Sequence, residues 1–159
     1  MKILLTLFAA CFVTTAAIAA DIGAPPIFQM RLVAEGLSKP SDSMPFVTKR
    51  DDKTNSLIVF LEKKVLIDQK ALKSASVSKD SLGRPLIEVT FTKDGSEQLA
   101  TVTQQYLHRN LAIVIDGHVA SMPTIQSPIT SGKAQITGSF SQEEVTDLVN
   151  RINAAAKKK

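Results

Sequence analysis

Leu111-Ala112-Ile113-Val114-Ile115 is apolar at every position, and Asp116-Gly117 follows at once, with His118-Val119 beyond it. A run this short, bounded by a turn, suits a strand buried on both faces in the middle of a sheet. Asp-Gly is the dipeptide of a two-residue hairpin turn, because that turn needs positive φ at its central positions. The chain from Val119 onward is therefore expected to fold back antiparallel. Pro123 and Pro128 interrupt this returning segment. Proline cannot donate to a ladder, so the segment reads as an edge strand leading into a loop.

Working outward from this hairpin, the preceding element is a helix that starts near Asp94. Glu97 lies three residues on, and both acids favour a helix amino end. Leu99, Val102, Tyr106 and Leu107 fall on one stripe at helical spacing. Before it, Val77–Lys79 and Leu86–Thr92 flank the turn Ser81-Leu82-Gly83-Arg84-Pro85 and read as a hairpin. Ile87, Val89 and Phe91 point one way along its second strand. Asp68 is placed to cap a short helical turn through Leu72. Leu57 to Leu66 reads as a strand, and Phe60, like Phe91, as core. Residues 35–56 are polar and broken by Gly36, Pro40 and Pro45, so they read as a surface connection with a short strand at Phe46–Thr48. Ile27 to Ala34 is another strand, with Phe28, Met30 and Leu32 on one face.

On the other side of the hairpin, Lys133 to Gly138 reads as a short strand with Ala134 and Ile136 on one face. Ser141 and Glu144 have the spacing of a capping box, with Phe140 and Val145 placed as its hydrophobic staple. Val145, Leu148, Val149 and Ile152 then form an apolar stripe. An isolated helix of this length is marginal, so the stripe must pack on the sheet. The expected fold class is α+β: two layers, an antiparallel-rich sheet with two main helices on one face.

The amino terminus has a different character. Met1-Lys2 precedes an apolar run from Ile3 to Ile18 that ends in small residues. One positive charge, an apolar stretch and Ala17-Ile18-Ala19 form a secretory signal, with cleavage after Ala19 and Ala20 as the second choice. The run falls short of the ~20 residues of a membrane-spanning helix. The single cysteine, Cys11, lies inside this segment, and apolar sequence continues past it, which disfavours a lipoprotein cleavage box. After cleavage no cysteine remains, so the core must hold the fold without disulfides. The resulting division is residues 1–19 as signal peptide, 20–56 as lead-in strand and loop, and 57–159 as the α+β domain.

The inventory for chemistry is poor. The net charge of the 159-residue chain is +4, and Lys157-Lys158-Lys159 carries much of it. So mild a charge, with no basic stripe, does not indicate a nucleic-acid partner. His118 follows the Asp-Gly turn and reads as an exposed strand start. His108 lies near a helix carboxyl end, where a cation suits the helix dipole. Neither belongs to a metal-ligand spacing, and no serine lies in a nucleophile motif. Asp116-Gly117-His118 sit around one tight turn and cannot align a nucleophile, base and orienter. The expectation is a protein without catalytic residues, metal or cofactor.

Several blocks in order carry a resemblance. They run from Leu61-Glu62-Lys63-Lys64-Val65-Leu66 and Gly83-Arg84-Pro85-Leu86-Ile87-Glu88-Val89-Thr90-Phe91-Thr92, through Leu111–Val119 and Ser121-Met122-Pro123, to Gln135-Ile136-Thr137-Gly138-Ser139-Phe140-Ser141 with Glu144. In this order and spacing the chain resembles the head of the first periplasmic domain of SecD, the accessory subunit of the Sec protein translocase. The resemblance implies a periplasmic, non-catalytic domain, associated with the Sec translocon, that meets preproteins on that side of the membrane. The SecD transmembrane helices are missing from this sequence, so proton-coupled export is not implied. The expected partner is unfolded polypeptide, or alternatively one folded envelope protein that this domain docks as a structural or regulatory element. Ser121 to Ile129 is the expected contact segment: its prolines leave an unpaired edge, and Met122, Ile125 and Ile129 are its apolar candidates.

Overall fold

A computed structural model describes residues 26–36, 43–48 and 57–157. The segment read as a signal peptide, its expected cleavage site at Ala19 and the last two lysines lie outside the described residues. In chain order the elements are β1 (Phe28–Leu32), β2 (Ser43–Thr48), β3 (Ile58–Glu62), β4 (Ile67–Asp68), a 3₁₀ turn (Gln69–Ala71), β5 (Leu72–Lys79), β6 (Pro85–Phe91), α1 (Lys93–Gln105), β7 (Leu111–Ile115), β8 (His118–Ser121), β9 (Lys133–Ile136) and α2 (Gln142–Lys157).

β7 is fully buried and lies between antiparallel β1 and β8. Its side chains alternate between two clusters. Leu111, Ile113 and Ile115 enter the main core with Phe28, Met30 and Leu32, whereas Ala112 and Val114 enter a smaller cluster with Leu61 and Val119. Each of these side chains larger than alanine contributes roughly 1.5–3 kcal/mol when buried. The turn after β7 has φ 50° at Asp116 and 77° at Gly117, as the Asp-Gly dipeptide requires.

The fold class is α+β, but the strands form two sheets instead of one. Six strands run in the order β3-β2-β8-β7-β1-β4, and three in the order β5-β6-β9. β8 is not an edge strand, because β2 pairs parallel with it through Val47–His118 and Thr48–Val119. Within β2, Pro45 lies opposite Phe60. Since Thr48 N–H donates to Leu57 O at 2.9 Å, the alternation of the ladder makes Pro45–Phe60 a non-bonded pair, and the missing donor costs no bond to β3. β1 and β2, expected as a lead-in to a domain beginning at residue 57, are thus interior strands of the same sheet.

The larger sheet curls. Val33, just beyond β1, bridges Leu61 of the edge strand β3, and Ala34 N–H donates to Phe60 O at 2.9 Å. The enclosed side holds the small cluster. Arg31 stands beside it, donating to Gln29 Oε1 at 3.0 Å, to Glu62 O at 3.2 Å and to Lys63 O, with its guanidinium 5.6 Å from the Phe46 ring centre. Burial lowers the Arg31 pKa from arginine's ordinary value. The curl leaves the outer face of the β2–β3 ribbon bare, so Phe60, expected in the core, is 55 % exposed beside Val47 and Ile58.

Both helices bury their stripes in the main core. Ser141 N–H donates to Glu144 Oε2 at 2.9 Å and Glu144 N–H to Ser141 Oγ at 3.2 Å, completing the capping box of α2. α2 packs on β5 and β6. There Asn153 receives Ala75 N–H at 2.8 Å and donates to Ala75 O at 2.9 Å. α1 is capped by Thr92, whose Oγ1 accepts from Gly95 N–H at 3.0 Å, one turn position earlier than the acids suggest. Leu107 lies past the end of α1 and is exposed. No helix among the described residues is long and apolar enough to cross a membrane.

Candidate functional site

The segment from Ser121 to Ile129 leaves β8 and runs back along residues 108–111. Its backbone is paired at Pro123, Ile125 and Ile129. Leu111 N–H donates to Pro123 O at 2.9 Å, Ile125 N–H to Arg109 O at 3.0 Å, and His108 N–H to Ile125 O at 2.9 Å. Thr124 Oγ1 donates to Asn110 Oδ1 at 2.7 Å. Ile129 N–H donates to Oγ1 of the buried Thr103, which itself donates to Leu99 O. Residues 108–111 thus supply partners for Pro123 and Ile125 on one side of the segment, despite its prolines.

This pairing sorts the three apolar candidates. Ile125 is 5 % exposed and packs in the main core, so it is no surface contact. Met122 is 40 % exposed, and Ile129 is half-buried against the core. The segment separates two concavities. One, of about 220 Å³, is lined by Leu111, Pro123, Ile125 and Ile129. The other, of about 510 Å³, is a cleft with Met122, Ala120 and Ser121 on one wall, Asp80, Arg84 and Pro85 on another, and Thr137-Gly138-Ser139 between them.

The larger cleft is lined by residues of both sheets, a juxtaposition that sequence patterning does not encode. Register shifts between Ile113 and Val114, so Ala120 of β8 sits in a bulge. A Cβ at Gly138 would lie 3.0 Å from Ala120 O and 2.6 Å from the Phe140 ring, so only glycine allows this approach. Across the cleft, Asp80 organises the β5–β6 turn. Its Oδ1 accepts from the N–H groups of Leu82 and Arg84, both at 2.9 Å, and its Oδ2 meets Arg84 Nε at 2.7 Å. The Arg84 backbone N–H holds the Asp80 carboxyl below the usual carboxylate range. Desolvation opposes this, and the Arg84 side chain and Leu82 N–H reinforce the lowering. The far wall was legible only as a turn, with nothing marking it as part of a site.

Two further ion pairs tie the framework. Arg109 lies between Glu62 Oε1 at 2.9 Å and Glu35 Oε1 at 3.1 Å, and donates to Val33 O. Arg151 of α2 forms a two-pronged pair with Asp116 at the β7–β8 turn. His118 is exposed, with Nδ1 3.0 Å from Asp116 O, and His108 is exposed with φ 64°. Neither lines the larger cleft. Among the described residues no group of three or more His, Cys, Asp or Glu side chains is placed to hold a metal ion.

The architecture is that of an α+β module whose surface offers clefts and strand edges. The sequence model of the family "SecDF, P1 head subdomain" matches residues 44–156, and the chain belongs to that family. The protein translocase subunit SecD of Leptotrichia buccalis is 39 % identical over 92 residues, covering 58 % of this chain and 23 % of that protein. SecD of Syntrophobacter fumaroxidans is 32 % identical over 149 residues, covering 85 % of this chain and 28 % of that one. The chain thus spans about a quarter of the length of the curated relatives it matches. A solved structure described as "Structure and function of a membrane component SecDF that enhances protein export" superposes with TM-score 0.67 at 27 % identity, covering 83 % of this chain and 64 % of that chain. SecDF in a "Super-membrane-facing form" gives TM-score 0.66 at 26 % identity, covering 82 % and 19 %.

Proposed function

We propose that this chain is a non-enzymatic, periplasmic binding module of protein export that takes unfolded or extended polypeptide in the 510 Å³ cleft beside Met122. Export itself follows the signal reading, with cleavage after Ala19. The observation that carries the proposal is the cleft: it joins an exposed thioether to polar backbone and hydroxyl groups at Ser121 and Thr137–Ser139. Methionine adapts to varied apolar side chains, and membership of the SecDF head family supplies the export context. Ile129 borders the neighbouring groove of about 220 Å³.

The test is capture of reduced, carboxymethylated lactalbumin, a permanently unfolded probe. Met122→Asp is expected to weaken capture at least fivefold without lowering the unfolding midpoint. Equal capture by a folded variant would remove the cleft from consideration. One observation favours the other reading, a structural or regulatory protein that docks a single folded envelope partner: the exposed apolar face formed by Val47, Ile58 and Phe60. Crosslinking in cells separates the two, since many client chains fit the cleft and one stoichiometric partner fits the apolar face.

A further inference from the structure

Resting on that reading, and specifying how a client is held, we propose that an extended polypeptide segment adds as a fourth strand to the open edge of β9, pairing with the outward backbone groups of Gln135 and running on into the cleft beside Thr137.

The direction of each backbone group follows from the ladder. In an antiparallel pair, residues that exchange hydrogen bonds alternate with residues that point their groups to the opposite edge. Phe91 N–H donates to Gly132 O at 2.9 Å. With the β6–β9 register, Val89–Ala134 and Ile87–Ile136 are then bonded pairs, and Lys133 and Gln135 face away from β6. The rule can be checked on β5. There Asp80 N–H donates to Arg84 O at 3.0 Å, which turns Ala75 outward in the β5–β6 register. Ala75 is the residue whose N–H and C=O Asn153 meets.

The edges are covered only in part. Asn153 occupies the outward groups of Ala75 on β5 and leaves those of Val77 without such cover among the described residues. Ala34 N–H takes the outward Phe60 O on β3. On β9, Ser131 Oγ donates to Lys133 O at 3.2 Å and stands 3.4 Å from its N–H. Gln135 has no such cover among the described residues, and its side chain is exposed. An uncovered edge is a template for another strand. β9 runs straight into Thr137-Gly138-Ser139, which line the cleft, so a strand laid along it reaches the Met122 wall.

Recognition of this kind reads backbone more than side chain, which suits clients of varied sequence. The fitting segment is extended and lacks proline at the paired positions. Its side chains alternate, one set lying beside Ile136 and the other beside Gln135, so apolar and uncharged polar residues in alternation suit it.

The test uses the full chain and a nonapeptide of alternating valine and threonine flanked by lysines. Two N-methylated versions block one or the other edge of the peptide. Strand addition predicts that one version binds like the parent and the other at least tenfold more weakly. It also predicts that exchange of the Gln135 amide slows at least tenfold on saturation. Gln135→Pro, tolerated where the N–H faces away from the ladder, is expected to weaken binding at least tenfold; the methylated pair decides the matter if that variant does not fold. Binding by both methylated versions, or an unchanged Gln135 amide, overturns strand addition. So does failure of the nonapeptide to bind while the unfolded probe is captured in a Met122-dependent way, which leaves the cleft reading standing. Failure of both probes removes both proposals.

Discussion

Replacing Gly95 with alanine sets two effects of opposite sign against each other. Gly95 lies in the first turn of α1, where alanine is the better helix former by about 1 kcal/mol at most. Its φ is not left-handed, so propensity alone predicts a stabilised protein. The tertiary contacts predict the reverse. A Cβ at this position would lie 2.4 Å from Ala71 O, 2.9 Å from Ala71 Cβ and 3.0 Å from Thr92 Oγ1. The nearest obstacle is backbone that cannot rotate away, since Ala71 O already accepts Thr92 N–H at 2.8 Å. Relief requires α1 to shift from the 3₁₀ turn, which strains that bond and the Thr92 cap. Overpacking costs typically about 1–3 kcal/mol, and a lost hydrogen bond about 1 kcal/mol more. Set against the propensity gain, the net is a loss of about 1–3 kcal/mol. With a urea m-value of roughly 1–3 kcal/mol/M, the midpoint should fall by about 1 M in a denaturant titration followed by circular dichroism. A midpoint equal to or above that of the parent, at unchanged slope, would refute the packing argument.

Asn153→Ala should be costly despite its position near the end of α2, because it strips both partners from Ala75; a loss of about 1–3 kcal/mol is expected, together with faster exchange of the Ala75 amide, and an unaltered Ala75 amide would contradict it. Asp80 supplies a pH signature. Its native pKa is depressed, so its contribution is present above the unfolded value of about 3.9 and is lost as pH falls through the native value. The thermal midpoint of Asp80→Asn should therefore lie below that of the parent near neutrality and converge with it below about pH 4; a gap that persists to pH 2 would show that the carboxylate charge is not responsible.

What the sequence settled by itself was local. The capping box of Ser141 and Glu144, the positive-φ turn at Asp116-Gly117 and the two-sided burial of Leu111–Ile115 each depend on residues within a few positions of one another, and each is present as read. The family blocks were legible for the same reason. Tertiary structure decided what depends on distant pairing. The parallel alignment of β2 with β8 brings Val47 to His118, which no period within either segment announces. Ile125 looked like a contact residue beside two prolines, yet residues 108–111 pair with its backbone and turn its side chain into the core. Phe60 looked like core, yet the curl of the sheet faces it outward. Periodicity tells which residues share a face. It does not tell what covers that face, because the covering element arrives from elsewhere in the chain and its position is set by the packing of the whole.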